Sequence, residues 1–201
     1  MRPRQYLSWS SLDLFERSKE RWVKAYVYDE KLRFNVKGQR GIDLGKKMAT
    51  ALEHDELTGD PMLDLTISGI PKFNVMEMEL KVEPEKGWKV PLLSKLDTAK
   101  EDLSAFKEYK QGTTEWTQPK VDKFGQITFY AAAIYLKTGR IPEDIELVWV
   151  PTRSGDDGRN EVVGDIVQFR TRRTMWNVLS MMARMEKAWE GMEKLTESIL
   201  I

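Results

Sequence analysis

The chain has 201 residues, enough for one domain with a sizeable core and no covalent staples. Its 32 basic and 32 acidic side chains cancel, so a polyanion would have to meet a local patch rather than a global field. Cysteine is absent and His54 is the single histidine, which excludes disulfides, a thiolate nucleophile, Cys-ligated zinc, a Cys-bound iron–sulfur cluster and paired-histidine zinc motifs. An enzyme built from this set works with carboxylates, lysine and a hard metal ion.

The N-terminal MRPRQYLSWSS lacks the apolar run of a signal peptide. The longest apolar run, Phe129 to Leu136, spans eight residues and is too short for a bilayer. The expected location is cytoplasmic, with no membrane partner. In chain order, Ser8, Ser10 or Ser11 caps a first helix through LDLFERSKERWVKAYVY, and a second helix starts near Gly41 or Asp43 and covers LGKKMATALEHDE. Apolar and polar residues alternate from Val75 to Val82, the pattern of a half-buried strand. VPLLSKLDTAK and LSAFKEYK form the arms of a hairpin. Pro119 precedes a helix over 120–138, despite Gly125. IELVWVPT and EVVGDIVQFRT are two further strands around the turn RSGDDGRN. Met175, Val178, Met182, Met185, Trp189, Met192 and Leu195 then recur at helical spacing, a packing stripe rather than a cofactor box. The order predicts one mixed α/β domain over 1–201, a central mixed sheet flanked by helices. Its parts are N-terminal helices over 8–56, a core over 73–171 and a C-terminal helix over 174–198.

The candidate chemistry centres on Asp97, Glu108 and Lys110. An acid two residues before a lysine occurs three times, as Asp29/Lys31, Glu79/Lys81 and Glu108/Lys110, so the spacing alone selects nothing. Hairpin geometry does. With the turn at Glu101-Asp102, Asp97 faces Phe106, and Phe106, Glu108 and Lys110 share its side of the strand pair. Glu108 is then the diagonal neighbour of Asp97, roughly 7–8 Å away between backbones. Two carboxylates so placed reach one hard cation, Mg²⁺ or Mn²⁺. A lysine on the same face can hold the attacking water or offset the charge of a pentavalent phosphoryl transition state. A solvated charged strand face is the alternative reading of the same geometry.

LLSKLDTAKEDLSAFKEYKQG resembles the core of RecB-type nucleases of the PD-(D/E)XK superfamily. Phe106, Glu108, Tyr109, Lys110 and Gly112 match the family's D/E-x-K-T-G arm, and Asp97 matches the aspartate of its G-x-x-D strand. Sixteen residues beyond Lys110, Gln126 and Tyr130 match the Q-x-x-x-Y helix, and LSWSSLDLFERSKERWVKAYVY resembles the opening helix, with Ser18 where iron–sulfur members carry cysteine. The matched blocks run from about residue 7 to 130.

The resemblance implies a restriction-endonuclease-like core and a Mg²⁺- or Mn²⁺-dependent DNA nuclease without an iron–sulfur cluster, of the recombination or repair exonuclease kind found in phages and mobile elements. It implies metal ligation by Asp97, Glu108 and the main-chain carbonyl of Tyr109, and water orientation by Lys110. DNA contact is implied for Gln126 and Tyr130. The sequence adds Lys123, in the small basic cluster ahead of that helix, and Trp116, in the loop before it. DNA is the expected partner, with a homo-oligomer or a recombination or replication protein beside it.

Three departures matter. Ser94 replaces the glycine before Asp97, the lack of cysteine excludes the iron–sulfur branch, and GKKMATALE places Ala49 where the family's helix carries a metal-binding histidine. Glu53, one helical turn on, is the natural substitute, whereas His54 points elsewhere. Arg170, Arg172 and Arg173 offer a basic cluster for phosphate. The competing reading is a nuclease-fold DNA-binding or assembly module that has lost activity, favoured by Ala49 and Ser94 and opposed by the intact Asp97, Glu108 and Lys110. A restriction-type endonuclease would need a target-recognition segment that 201 residues do not visibly hold.

Overall fold

The alternation at Val75 becomes β1 (Val75–Val82), followed by β2 (Leu92–Ala99) and β3 (Ala105–Gly112). The computed structural model describes residues 5–31, 36–85, 87–154 and 160–200. β4 (Asp144–Ser154) lies parallel to β3, and on its other side β6 (Val167–Thr171) and β5 (Asn160–Val162) pair antiparallel with successive stretches of it. The result is a six-stranded mixed sheet in the order β1-β2-β3-β4-β5, with β6 also on β4. The strand expected over EVVGDIVQFRT is therefore two, and Gly164 takes a φ of 76° between them. That left-handed conformation suits glycine and breaks the ladder. The expected turn RSGDDGRN lies largely outside the described residues.

The helices differ from expectation at their ends. Ser18 is extended, closes α1 (Trp9–Arg17), and caps α2 (Lys19–Trp22), which runs into a π-helical turn at Val23–Val27. One expected helix is thus broken at a serine whose side chain competes for backbone amides. α3 (Val36–His54) begins earlier than Gly41. α4 (Pro61–Ser68) was not foreseen, although Asp60 caps it through the amides of Met62 and Leu63 and Pro61 opens it. The helix expected over 120–138 is α5 (Gln118–Asp122) and α6 (Gly125–Thr138), parted at Lys123-Phe124. α7 (Met175–Leu200) buries Val178, Met181, Met185, Ala188 and Met192.

The main core joins α1, α6 and α7 to the sheet through Leu12, Phe106, Ile127, Phe129, Leu147 and Met185. A smaller cluster of Met48, Leu52, Leu63, Ile70, Val148 and Val150 seats α3 and α4. Among the described residues no helix is long and apolar enough to cross a membrane.

Candidate active site

The β2–β3 connection fixes the geometry. Lys100 N–H donates to Ala105 O, Leu103 takes a φ of 58°, and Asp102 accepts from the Ser104 amide and hydroxyl. This four-residue turn is wider than the tight one expected at Glu101-Asp102, and it shifts the register by two. Ala99 faces Phe106 and Thr98 faces Lys107. Continuing that register puts Glu108 across from Asp97, not diagonal to it. A shift of two keeps every side chain on its side of the sheet, so the expected grouping survives the correction and becomes tighter.

Beyond Thr98 and Lys107 the strands part, and the Asp97 side chain takes over the ladder: Tyr109 N–H donates to Asp97 Oδ2 at 2.6 Å. Because N–H and C=O of one strand residue project to the same side, the Tyr109 carbonyl also faces β2. Glu108 is 1% exposed. Its Oε1 accepts from Lys110 Nζ, and its Oε2 has no amide, hydroxyl or ammonium donor, only the neighbouring Asp97 carboxyl when that carries a proton. The Lys110 ammonium lies 5.5 Å from the centre of the Phe124 ring, at the head of α6. On the same helix Gln126 Nε2 donates to Tyr130 Oη at 2.8 Å, and the Tyr130 ring meets Phe106 edge to face.

Burial pushes the Asp97 carboxyl well above the usual carboxylate range, the Glu108 charge pushes it further, and the Tyr109 amide and Lys110 only partly oppose this. Glu108 is likewise raised by burial, against the pull of Lys110. Burial works against the Lys110 charge, yet Glu108 and Asp97 outweigh it and hold the ammonium protonated. The centre is a buried carboxylate pair with one lysine, short of positive charge.

That deficit is the test of whether a hard cation suits the residues. A buried carboxylate oxygen with no amide, hydroxyl or ammonium donor, beside a second carboxylate raised by its presence, matches the all-oxygen donor set of Mg²⁺ or Mn²⁺. Among the described residues no three carboxylate or imidazole groups already converge as a chelate.

The other sequence candidates are distributed around this centre. Ala49 lines the adjoining cavity, with Gly45 and Leu52 of α3 and with Asp97 and Lys110. Glu53 is exposed, one helical turn beyond Ala49 and 3.8 Å from His54, and its charge acts on Lys95 of β2. Lys123 is exposed, whereas Trp116 packs edge to face on Phe124 with the Lys120 ammonium 4.2 Å from its ring centre. The rival pair Glu79/Lys81 is an exposed ion pair of 2.9 Å.

Of the arginine trio, Arg173 is not available to phosphate. It is buried and donates to Thr128, Thr171 and the Val121 and Phe124 carbonyls, which fixes the α5–α6 junction. Arg170 pairs with Glu146, which also holds the buried Lys107.

The structure also brings Glu77 to the cavity beside Asp97 and Phe124 beside Lys110, two residues the sequence reading does not single out. Glu77 sits in the same alternating run as Glu79, one strand from Asp97, and that position was the available signal. Nothing in the sequence announces the Phe124 ring beside Lys110.

No family model and no curated protein matches the chain. Among solved structures it is similar to the crystal structure of a protein named "putative exonuclease" from Eubacterium rectale, with a TM-score of 0.60 and 10% sequence identity over 96% of this chain and 82% of that one. At that identity the likeness is one of fold: a mixed α/β architecture with a central sheet flanked by helices.

Proposed function

We propose that this chain is a Mg²⁺- or Mn²⁺-dependent DNA nuclease of the RecB-like PD-(D/E)XK kind. The observation that carries the reading is the Asp97–Glu108 carboxyl pair, Glu108 fully buried with Lys110 on one oxygen and no cation or amide on the other. The name of the fold neighbour points the same way. Asp97, Glu108 and the Tyr109 carbonyl are the groups to hold the ion. When bound, it supplies Lewis-acid polarisation of the scissile phosphate and of the attacking water.

The chain's own residues supply the rest. Lys110, kept protonated by Glu108, orients the water and offsets charge on the phosphoryl oxygens. Water attacks phosphorus in line, the P–O3′ bond breaks, and the 3′ oxygen takes a proton, leaving a 5′-phosphate. Gln126 and Tyr130, joined on the α6 face beside Phe106, position the strand.

The test is digestion of end-labelled linear and closed circular DNA with Mg²⁺, Mn²⁺ or EDTA. Cleavage should need the metal and should disappear in Asp97→Ala, Glu108→Ala and Lys110→Ala, with losses far from additive because the residues act as one unit. Glu79→Ala with Lys81→Ala should cleave normally. Activity that survives chelation, or that follows Glu79 and Lys81 instead, refutes the reading. A metal-binding protein without cleavage under any condition would be the inactive DNA-binding module.

A further inference from the structure

Glu77 takes a φ of 51°, a left-handed conformation that a glutamate inside a strand adopts only under constraint. The register of β1 on β2, with Met76 opposite Thr98 and Met78 opposite Leu96, sets it across from Asp97. Glu77, Asp97 and Glu108 thus stand in a row over three neighbouring strands. Glu77 lines the same cavity of about 100 Å³ as Asp97, Lys110 and Ala49. Its charge bears on Asp97, Glu108 and Tyr130. Its carboxylate is held by Lys95, an ammonium that is 61% exposed. The Oε2 of Glu108, with no cation or amide on it, is an independent sign that this row receives a cation. Ala49 offers no ligand from α3, and Glu53, whose charge reaches Lys95, does not line the cavity.

We infer that Glu77 is the third carboxylate of the metal centre, supplied by β1 in place of a ligand from α3, and that Lys95 is the counter-cation a divalent ion displaces from it. This rests on the nuclease reading above. Lys95 bridges solvent and site, so it can leave without unfolding anything, and the Glu77 side chain is long enough to turn from β1 toward Asp97.

The experiment is Mn²⁺ binding to the full chain, without DNA, by titration calorimetry, with thermal melting as the check on folding. Glu77→Asn is the variant of choice, because asparagine tolerates a positive φ better than glutamate and removes both charge and reach. It should melt no lower than the wild type and bind Mn²⁺ at least tenfold more weakly. Lys95→Met should tighten binding severalfold, and this gain should vanish in the Glu77→Asn background, whereas Glu53→Gln should stay within twofold of the wild type. Equal affinity in Glu77→Asn and wild type, or the same gain from Lys95→Met in both backgrounds, overturns the inference. If Asp97→Asn abolishes binding while Glu77→Asn does not, only Glu77 falls. If the wild type binds no Mn²⁺, the nuclease reading falls with it.

Discussion

Replacing Asp97 by asparagine should make the metal-free protein more stable while destroying its activity. Five interactions set the sign. Burial, the Glu108 charge and, least of them, the Glu77 charge oppose an ionised Asp97, and they outrank the Tyr109 amide bond and the Lys110 attraction that favour it. Asparagine keeps an oxygen for the Tyr109 amide, lost only as a charge-assisted bond, and it removes the two larger penalties. A gain of about 0.5–2 kcal/mol is the usual yield of relieving such a site. For a chain of this length that is roughly 1–8 °C in melting temperature. The reference is Glu146→Ala in β4, beside Lys107 on the reverse face of the sheet. Glu146 is 3% exposed between Lys107 and Arg170, and its loss strands a buried ammonium. Breaking such a pair costs about 3–5 kcal/mol, or roughly 6–20 °C.

The assay is thermal melting in EDTA across pH. The folded-state pKa of Asp97 is raised, so between the ordinary carboxylate range and that raised value the folded state binds a proton the unfolded state releases. Stability from this group is therefore present at low pH and lost as pH rises. The difference between Asp97→Asn and wild type should grow from acid toward neutral pH. Saturating Mn²⁺ should reverse it, since an ion at about 100 times its Kd adds roughly 2.7 kcal/mol to the wild type alone. A metal-free Asp97→Asn protein that melts below the wild type at neutral pH, with its circular dichroism unchanged, refutes the electrostatic account of the site.

Two packing changes probe the frame around the centre. A Cβ at Gly125 would lie 2.4 Å from the Trp9 ring at the start of α6, so Gly125→Ala should cost about 1–3 kcal/mol by overpacking, read as a lowered melting temperature. Arg173→Met should destabilise by a comparable amount, about 1–3 kcal/mol, because it removes the charge-assisted bonds that tie the Val121 and Phe124 carbonyls and the Thr128 and Thr171 hydroxyls together. It should also slow cleavage through kcat, because the junction it anchors carries Phe124 to Lys110.

The legibility of this chain follows the range of the interactions involved. Strand alternation at Val75–Val82 and the helical stripe after Thr174 are local patterns, and both elements stand where the sequence puts them. The hairpin register was missed by two residues because Leu103 adopts a left-handed conformation that no turn rule assigns to leucine. The grouping of Asp97, Glu108 and Lys110 survived because strand faces repeat every two residues, so an even error leaves faces intact. The helix boundaries at Ser18 and Phe124 depend on side chains competing for amides and on tertiary packing, which periodicity does not encode. Glu77 was hidden for a similar reason. It belongs to the same alternating run as the exposed pair Glu79/Lys81, and only the pairing of β1 with β2 distinguishes them.

The alternation along β3 also separates a closed charge network on one side of the strand from the candidate site on the other. Lys107 and Glu108 are adjacent, both buried, and both charged. On the Lys107 side the charges close on themselves: Glu146 answers Lys107, Arg170 answers the second Glu146 oxygen, and together they hold the Glu146 carboxyl below its ordinary range despite its burial. On the Glu108 side they do not close. One lysine serves two buried carboxylates, both carboxyls are raised, and one oxygen is left over. A fold under selection for stability alone has every reason to complete that circuit, as it does one residue away. The uncompleted side is the one at which a cation and a phosphate have something to gain.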